Sequence, residues 1–163
     1  MLQRMNRISQ TTFFLSAILL TFLIACSKRD QVVNVADDDP EMLAAIAKAR
    51  ETLPQFWTTF DKRDQGEADF ALKVRIKDKN GTEHFWATDI ERSDGKIMGT
   101  INNDPNIVAS VKLGDRIQIP EVDISDWLYM RGGKMVGNHT LKPLFKNMPE
   151  EEIQRLKSIM ADP

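Results

Sequence analysis

Two histidines, His84 and His139, carry the only imidazoles of this 163-residue sequence, and Cys26 carries its only thiol. A zinc site would need both histidines and a carboxylate such as Asp126, because the chain has no H-x-x-x-H spacing and no cysteine pair. The plainer reading is two surface or half-buried histidines. Nucleophilic catalysis by a hydroxyl needs a base beside it. Ser125-Asp126 and Ser93-Asp94 are adjacent pairs, but neighbours on a strand point to opposite faces, and there is no G-x-S-x-G. Asp89, Glu121, Asp123 and Asp126 fall near expected strand ends, where paired carboxylates could serve hydrolysis. Among 24 acidic residues some proximity arises by chance. The stretch "RGGKMVGN" lacks the spacing and the following helix of a phosphate loop.

Two groups remain. Lys73, Arg75 and Lys77 alternate along one run, and His84 and Trp86 along the next. If both runs are strands of one hairpin, these five side chains share a face. That face would suit an acidic protein segment, an anionic glycan or lipid head groups. It has bland readings too: an Arg–Trp contact worth about 0.5–1 kcal/mol when exposed, or a terminal helix lying over Trp86 with basic stems packed around it. The second group is Asp126, Trp127, Asn138 and His139, within "DISDWLYMRGGKMVGNHT".

These residues need elements to hold them. Asp39-Pro40 reads as an N-cap and first helical residue. Met42, Ile46, Ala49 and Leu53 follow at helical spacing, with Lys48 and Arg50 near the expected C-terminal end. Pro54 is expected to end that helix. A second short helix is expected in "PQFWTTF", with Phe56, Trp57 and Phe60 packed into the core. The period then changes to two. Phe70, Leu72, Val74 and Ile76 alternate with polar residues as far as Asn80-Gly81, a strong hairpin turn signal. A two-residue turn there would set Ile76 opposite Phe85, Val74 opposite Ala87, Arg75 opposite Trp86, Lys77 opposite His84 and Lys73 opposite Thr88. Asp94-Gly95 marks another turn before "KIMGTI". Asp104-Pro105 would cap a short helix through Ile107, Val108 and Val111. "DRIQIP" reads as a short strand. Gly132-Gly133 turns a last hairpin that pairs Met130 with Met135, Tyr129 with Val136 and Trp127 with Asn138. A closing helix spans about Pro149 to Met160, with Glu150, Glu151 and Glu152 in its first turn. Helix, antiparallel strands, helix is an α+β order. We expect a bent sheet or half-open small barrel of five to six strands with helices at both ends.

The chain opens with Arg4 and Arg7 and then the apolar run "TTFFLSAILLTFLIA", about 15 residues, where a span needs about 20. That is the build of a secretory signal. The run closes on "LIAC", which resembles the bacterial lipobox. The resemblance implies cleavage before Cys26, a diacylglyceryl thioether on its sulfur and acylation of the new amine. Such a fate accounts for a lone cysteine in an exported chain, and several acyl chains anchor stably where one is marginal. Residues 1–25 are then a signal peptide, 26–38 a lipidated tether and 39–163 a single domain. Ser27 stands where Asp would be the usual inner-membrane retention residue, which favours the outer membrane in a two-membrane cell, with the domain facing the periplasm. Losing Arg4 and Arg7 from 22 basic residues leaves 20 against 24 acidic ones, a net charge of about −4. That balance gives no electrostatic reason to bind nucleic acid.

"ARETLPQFW", "ADFALKV", "NGTEHFWATDI", "LGDRIQIPEVDISDWLYM" and "GGKMVGNHT" resemble landmarks of the YegJ-like bacterial family, domain of unknown function 2314. The resemblance spans about Ala47 to Met148. It implies one domain and brings no established activity, cofactor or catalytic residue. The expected function is a non-catalytic binding module of the cell envelope, tied to the membrane by lipid and meeting a protein or anionic ligand. An inhibitor or immunity-type role belongs with it. The alternative is an envelope hydrolase using polar residues around the Trp127–His139 hairpin.

Overall fold

Asp39 opens the first helix as its residue type requires. In the computed structural model, which describes residues 39–161, its carboxylate accepts the amides of Glu41 and Met42 at 2.9 and 3.1 Å. Pro40 takes the first helical position of α1 (Pro40–Lys62). The expected signal peptide, Cys26 and the tether lie outside the described residues.

Helix α1 does not stop at Pro54, so the two short helices expected from sequence are one. Pro54 sits on the exposed side, while Leu53, Phe56, Trp57 and Phe60 are buried. A proline inside a helix costs about 3 kcal/mol. Burying one large apolar side chain returns about 1.5–3 kcal/mol, so four on one stripe outweigh the break. Lys48 and Arg50 are therefore mid-helix. Arg50 instead donates to the carbonyls of Ile124 and Val122, both at 3.0 Å.

Six strands form one antiparallel sheet: β1 (Glu67–Asp78), β2 (Gly81–Ser93), β3 (Lys96–Ile101), β4 (Arg116–Gln118), β5 (Ile124–Arg131) and β6 (Lys134–Gly137). Their order is β4-β3-β2-β1-β5-β6. The sheet is open, with β4 and β6 as its edges. A 3-10 turn (Glu121–Asp123) precedes β5, and a 3-10 segment (His139–Asn147) leads to α2 (Glu150–Ile159). The fold is α+β with helices at both ends, as the element order predicts.

The register of the first hairpin differs from the expected one by two residues. Lys79-Asn80, not Asn80-Gly81, occupy the turn, and Asp78 pairs with Gly81. Asp78 binds the Asn80 amide through its own side chain at 2.7 Å, which closes the turn one residue early. Because side chains alternate with period two, the faces survive and only the partners change. Val74 opposes Phe85, Lys73 opposes Trp86 and Arg75 opposes His84. The other turns follow the sequence. Asp94 and Gly95 have φ of 51° and 72°, a primed turn, and Met130 and Tyr129 oppose Met135 and Val136.

One face of the sheet holds the core. Phe56 and Phe60 of α1 pack on Phe70 of β1, and Phe56 also meets Trp127. A satellite of Phe85, Ile101 and Val108 extends the same face under residues 102–115. No helix forms there. The carboxylate of Glu83 accepts the amides of Asn106, Ile107 and Val108 at 2.9–3.2 Å, and Asp78 takes those of Ala109 and Ser110 at 2.7 and 3.1 Å. Five successive donors that a helix would turn onto its own carbonyls are claimed by the sheet. At the far edge Met160 pairs in parallel with Met135, and the Ala161 amide donates to the Met135 carbonyl at 2.8 Å.

Candidate functional site

Strand order brings the two candidate groups together. β1 lies between β2 and β5, so Lys73 pairs with Trp86 on one side and with Asp126 on the other. Trp86, Lys73 and Asp126 form one row across three strands on the face turned away from α1. The next row is Arg75 and His84. Between Lys73 and Val74 the ladder with β5 slips by one residue, a bulge that leaves Ser125 unpaired. The bulge overturns the expectation that Ser125 and Asp126 point to opposite faces. Ser125 Oγ lies 2.7 Å from His84 Nδ1, and Asp126 reaches Thr140, which binds Lys73.

Asp126 is fully buried and accepts four hydrogen bonds. Its Oδ1 takes the amides of Trp127 and His139 at 2.8 and 3.1 Å, and its Oδ2 takes the Thr140 amide and hydroxyl, both at 2.7 Å. The Lys73 ammonium donates to Thr140 Oγ1 at 2.8 Å and lies 5.0 Å from the centre of the Trp86 ring. Lys73 is half-buried, with its charged end held between Thr140 and the Trp86 ring. Burial pulls its pKa below the ordinary lysine value, and the Asp126 charge opposes that pull. Ser125 is buried as well, donating to the Lys73 carbonyl at 3.2 Å.

The histidine of the second group takes a different partner from the one a hydrolytic relay would need. His139 touches Asp126 through its backbone amide, and its Nε2 lies 3.2 Å from Thr52 Oγ1 on α1. Thr52 donates onward to the Lys48 carbonyl at 2.8 Å, so its oxygen receives the Nε2 proton. The ring stands edge-on to Trp127 at 5.4 Å. Burial lowers the His139 pKa; Asp126 raises it, and Lys48 and Lys142 lower it further. Trp127 faces the core and donates from Nε1 to the Ala49 carbonyl at 2.9 Å. Asn138 adopts a left-handed conformation (φ 53°), donates its amide to the Trp127 carbonyl, and donates Nδ2 to Met135 Sδ at 3.3 Å.

Arg75 is exposed and bridges to Asp123 at 3.0 Å, and Lys77 is exposed beyond it. Trp86 and His84 are half-buried on the same face. Thr140 and Thr52, which tie the polar centre together, carry no sequence signal beyond Thr140 following His139. Among the described residues no three or more His, Cys, Asp or Glu side chains gather to hold a metal, and no helix is long and apolar enough to cross a membrane. A cavity of about 200 Å³ between Arg92, Lys96, Gln118 and Glu121 lies away from this network.

Fold and site define a small α+β sheet domain with one covered face and one polar face organised by a buried carboxylate. The chain belongs to the family described as an uncharacterized protein conserved in bacteria (DUF2314), whose model matches residues 39–160. It is similar to the uncharacterized protein YegJ of Escherichia coli (strain K12), 40% identical over 129 residues that cover 79% of this chain and 83% of that one. It is also similar to a putative ankyrin repeat protein of Neisseria meningitidis serogroup B, 32% identical over 131 residues that cover 76% of this chain and 48% of that protein. The chain thus matches about half the length of the neisserial relative. No solved structure matches it.

Proposed function

We propose that this chain is a lipid-anchored bacterial envelope protein whose domain binds a partner through the outer sheet face and performs no chemistry of its own. The carrying observation is the saturation of Asp126. A carboxylate that already accepts four internal hydrogen bonds, three of them from backbone, has no lone pair left to activate water or to orient a base. Ser125 and Thr140 are buried and likewise engaged. Arg75, Lys77 and the half-buried Trp86 and His84 remain at the surface beside them. An indole rimmed by cations is a common anchor chemistry for a protein or anionic partner. A relative named as an ankyrin repeat protein also suits a module, since such repeats build extended binding surfaces.

The anchor rests on the "LIAC" stretch and Cys26. Metabolic labelling with a fatty acid should mark the wild type and leave Cys26→Ser unlabelled. For the binding face, affinity capture from envelope extracts is compared between wild type and a Trp86→Ala, Arg75→Ala double variant of equal stability. A partner recovered by the wild type and lost by the variant supports the reading; identical recoveries remove this face.

A further inference from the structure

Three methionines stand in one rank at the β6 edge. Met130 of β5 pairs with Met135 of β6, and Met135 pairs in parallel with Met160, one residue past α2. Directly paired residues of adjacent strands carry their side chains on the same face. Strand spacing is about 4.8 Å, so Met130 and Met160 flank Met135 with backbones about 10 Å apart. Methionine is long and turns about three bonds, so the outer thioethers can converge on the central one. Met135 is buried, whereas Met130 and Met160 are half-buried. Met135 is thus the covered middle of the rank, and Met130 and Met160 are its more accessible ends. Asn138 Nδ2 donates to Met135 Sδ at 3.3 Å, which fixes where that sulfur points while leaving it a second lone pair.

We propose that Met130, Met135 and Met160 form a binding site for a soft monovalent ion, Cu(I). Thioethers are neutral, polarisable ligands that select Cu(I), whereas Mg, Ca and Mn prefer oxygen. Zinc would want thiolate, imidazole or carboxylate, and the described residues gather no such cluster. A neutral ligand set also favours a single positive charge over a double one, because burying charge is costly. The guanidinium of Arg131, next to Met130 in sequence, is paired with Glu67 at 2.7 Å. Binding would tie the segment after α2 to the sheet edge, since Met160 is one of the ligands.

The test uses the full chain, extracted in detergent, beside its Cys26→Ser form, so that any copper held by an unlipidated thiol is told apart. Cu(I) held by bicinchoninate is titrated with protein. The wild-type cluster should withdraw one Cu(I) per chain from the chelator and melt at a higher temperature when loaded, because a ligand of the folded state stabilises it. Met130→Leu with Met160→Leu keeps side-chain volume and should lose both effects, while Met98→Leu on β3 keeps them. Failure of the wild-type cluster to compete overturns the proposal. So does Cu(I) uptake by the double variant equal to that of the parent.

Discussion

Lys73 and Asp126 are direct partners across the β1–β5 ladder, and the hydroxyl of Thr140 is hydrogen-bonded to both of their side chains. One small residue thus lets a crowded ammonium and a buried carboxylate share a network, and the same threonine fixes the start of the 3-10 segment to the sheet. The arrangement makes Asp126 a structural hub. Removing it would leave three amides and a hydroxyl without an acceptor, and Lys73 without its nearest counter-charge.

Asp126→Ala is therefore expected to destabilise the domain by about 3–5 kcal/mol, the range for breaking a buried charge network from one side. Urea unfolding followed by tryptophan fluorescence measures it. Adding Lys73→Met should restore part of the loss, because the orphaned ammonium goes with it. A variant within about 1 kcal/mol of wild type would contradict the hub.

His139 sets an acid limit. Its folded pKa lies below the ordinary 6.5, so between those two values the unfolded chain binds more protons than the folded one. The contribution is fully present above 6.5 and is lost as pH falls through the lowered folded pKa. Stability measured in steps downward from neutral pH should decline from about 6.5, and His139→Gln should flatten that decline. Equal slopes in the two proteins would remove His139 as the cause.

Pro54→Ala should raise stability by about 1–3 kcal/mol, against the usual direction for a point change. The site is exposed and inside a continuous helix, so the substitution restores an amide hydrogen bond without disturbing the core. Thermal melting of the two proteins decides the sign.

Gly137→Ala should cost more than about 3 kcal/mol. Gly137 has φ 84°, and a β-carbon there would fall on the carbonyl oxygen and indole ring of Trp127. Loss of the folded, soluble protein on expression, with Gly132→Ala much milder, would bear this out. Gly132 also has positive φ but faces open space.

Glu83→Gln should release the segment it holds. Three of its acceptor contacts are charge-assisted amide bonds, worth about 1.5–3 kcal/mol each in favourable cases. Burial pushes the Glu83 carboxyl up, but those amides outweigh it and hold its pKa below the ordinary value. Hydrogen exchange should quicken at Asn106, Ile107 and Val108, and Asp78→Asn should do the same at Ala109 and Ser110.

Local signals carried much of this fold. Asp39-Pro40, Asp94-Gly95 and Gly132-Gly133 each mark a boundary by backbone chemistry that no tertiary contact overrides. Pro54 misled because a local penalty of about 3 kcal/mol met an aromatic stripe worth more. The first hairpin slipped by two residues because the Asp78 side chain, not the Asn-Gly dipeptide, set the turn. Residues 104–111 looked helical in isolation, but their amides answer to Glu83 and Asp78, more than twenty positions away. The same non-local cause hid the site. Lys73 and Asp126 were each legible as polar residues on a strand, but only strand order makes them neighbours, and Thr140 and Thr52 join them through contacts that sequence spacing does not encode.

The seat under residues 106–110 has an evolutionary reading. Its grip is largely on main-chain amides, which every residue except proline supplies, so Ala109 and Ser110 can change without loosening it, whereas Glu83 and Asp78 cannot. Val108, buried in the satellite core, and Asn106, whose side-chain amide also donates to Glu83 at 3.3 Å, are the exceptions inside the segment. Side chains at those positions can therefore differ widely above an unchanged hairpin.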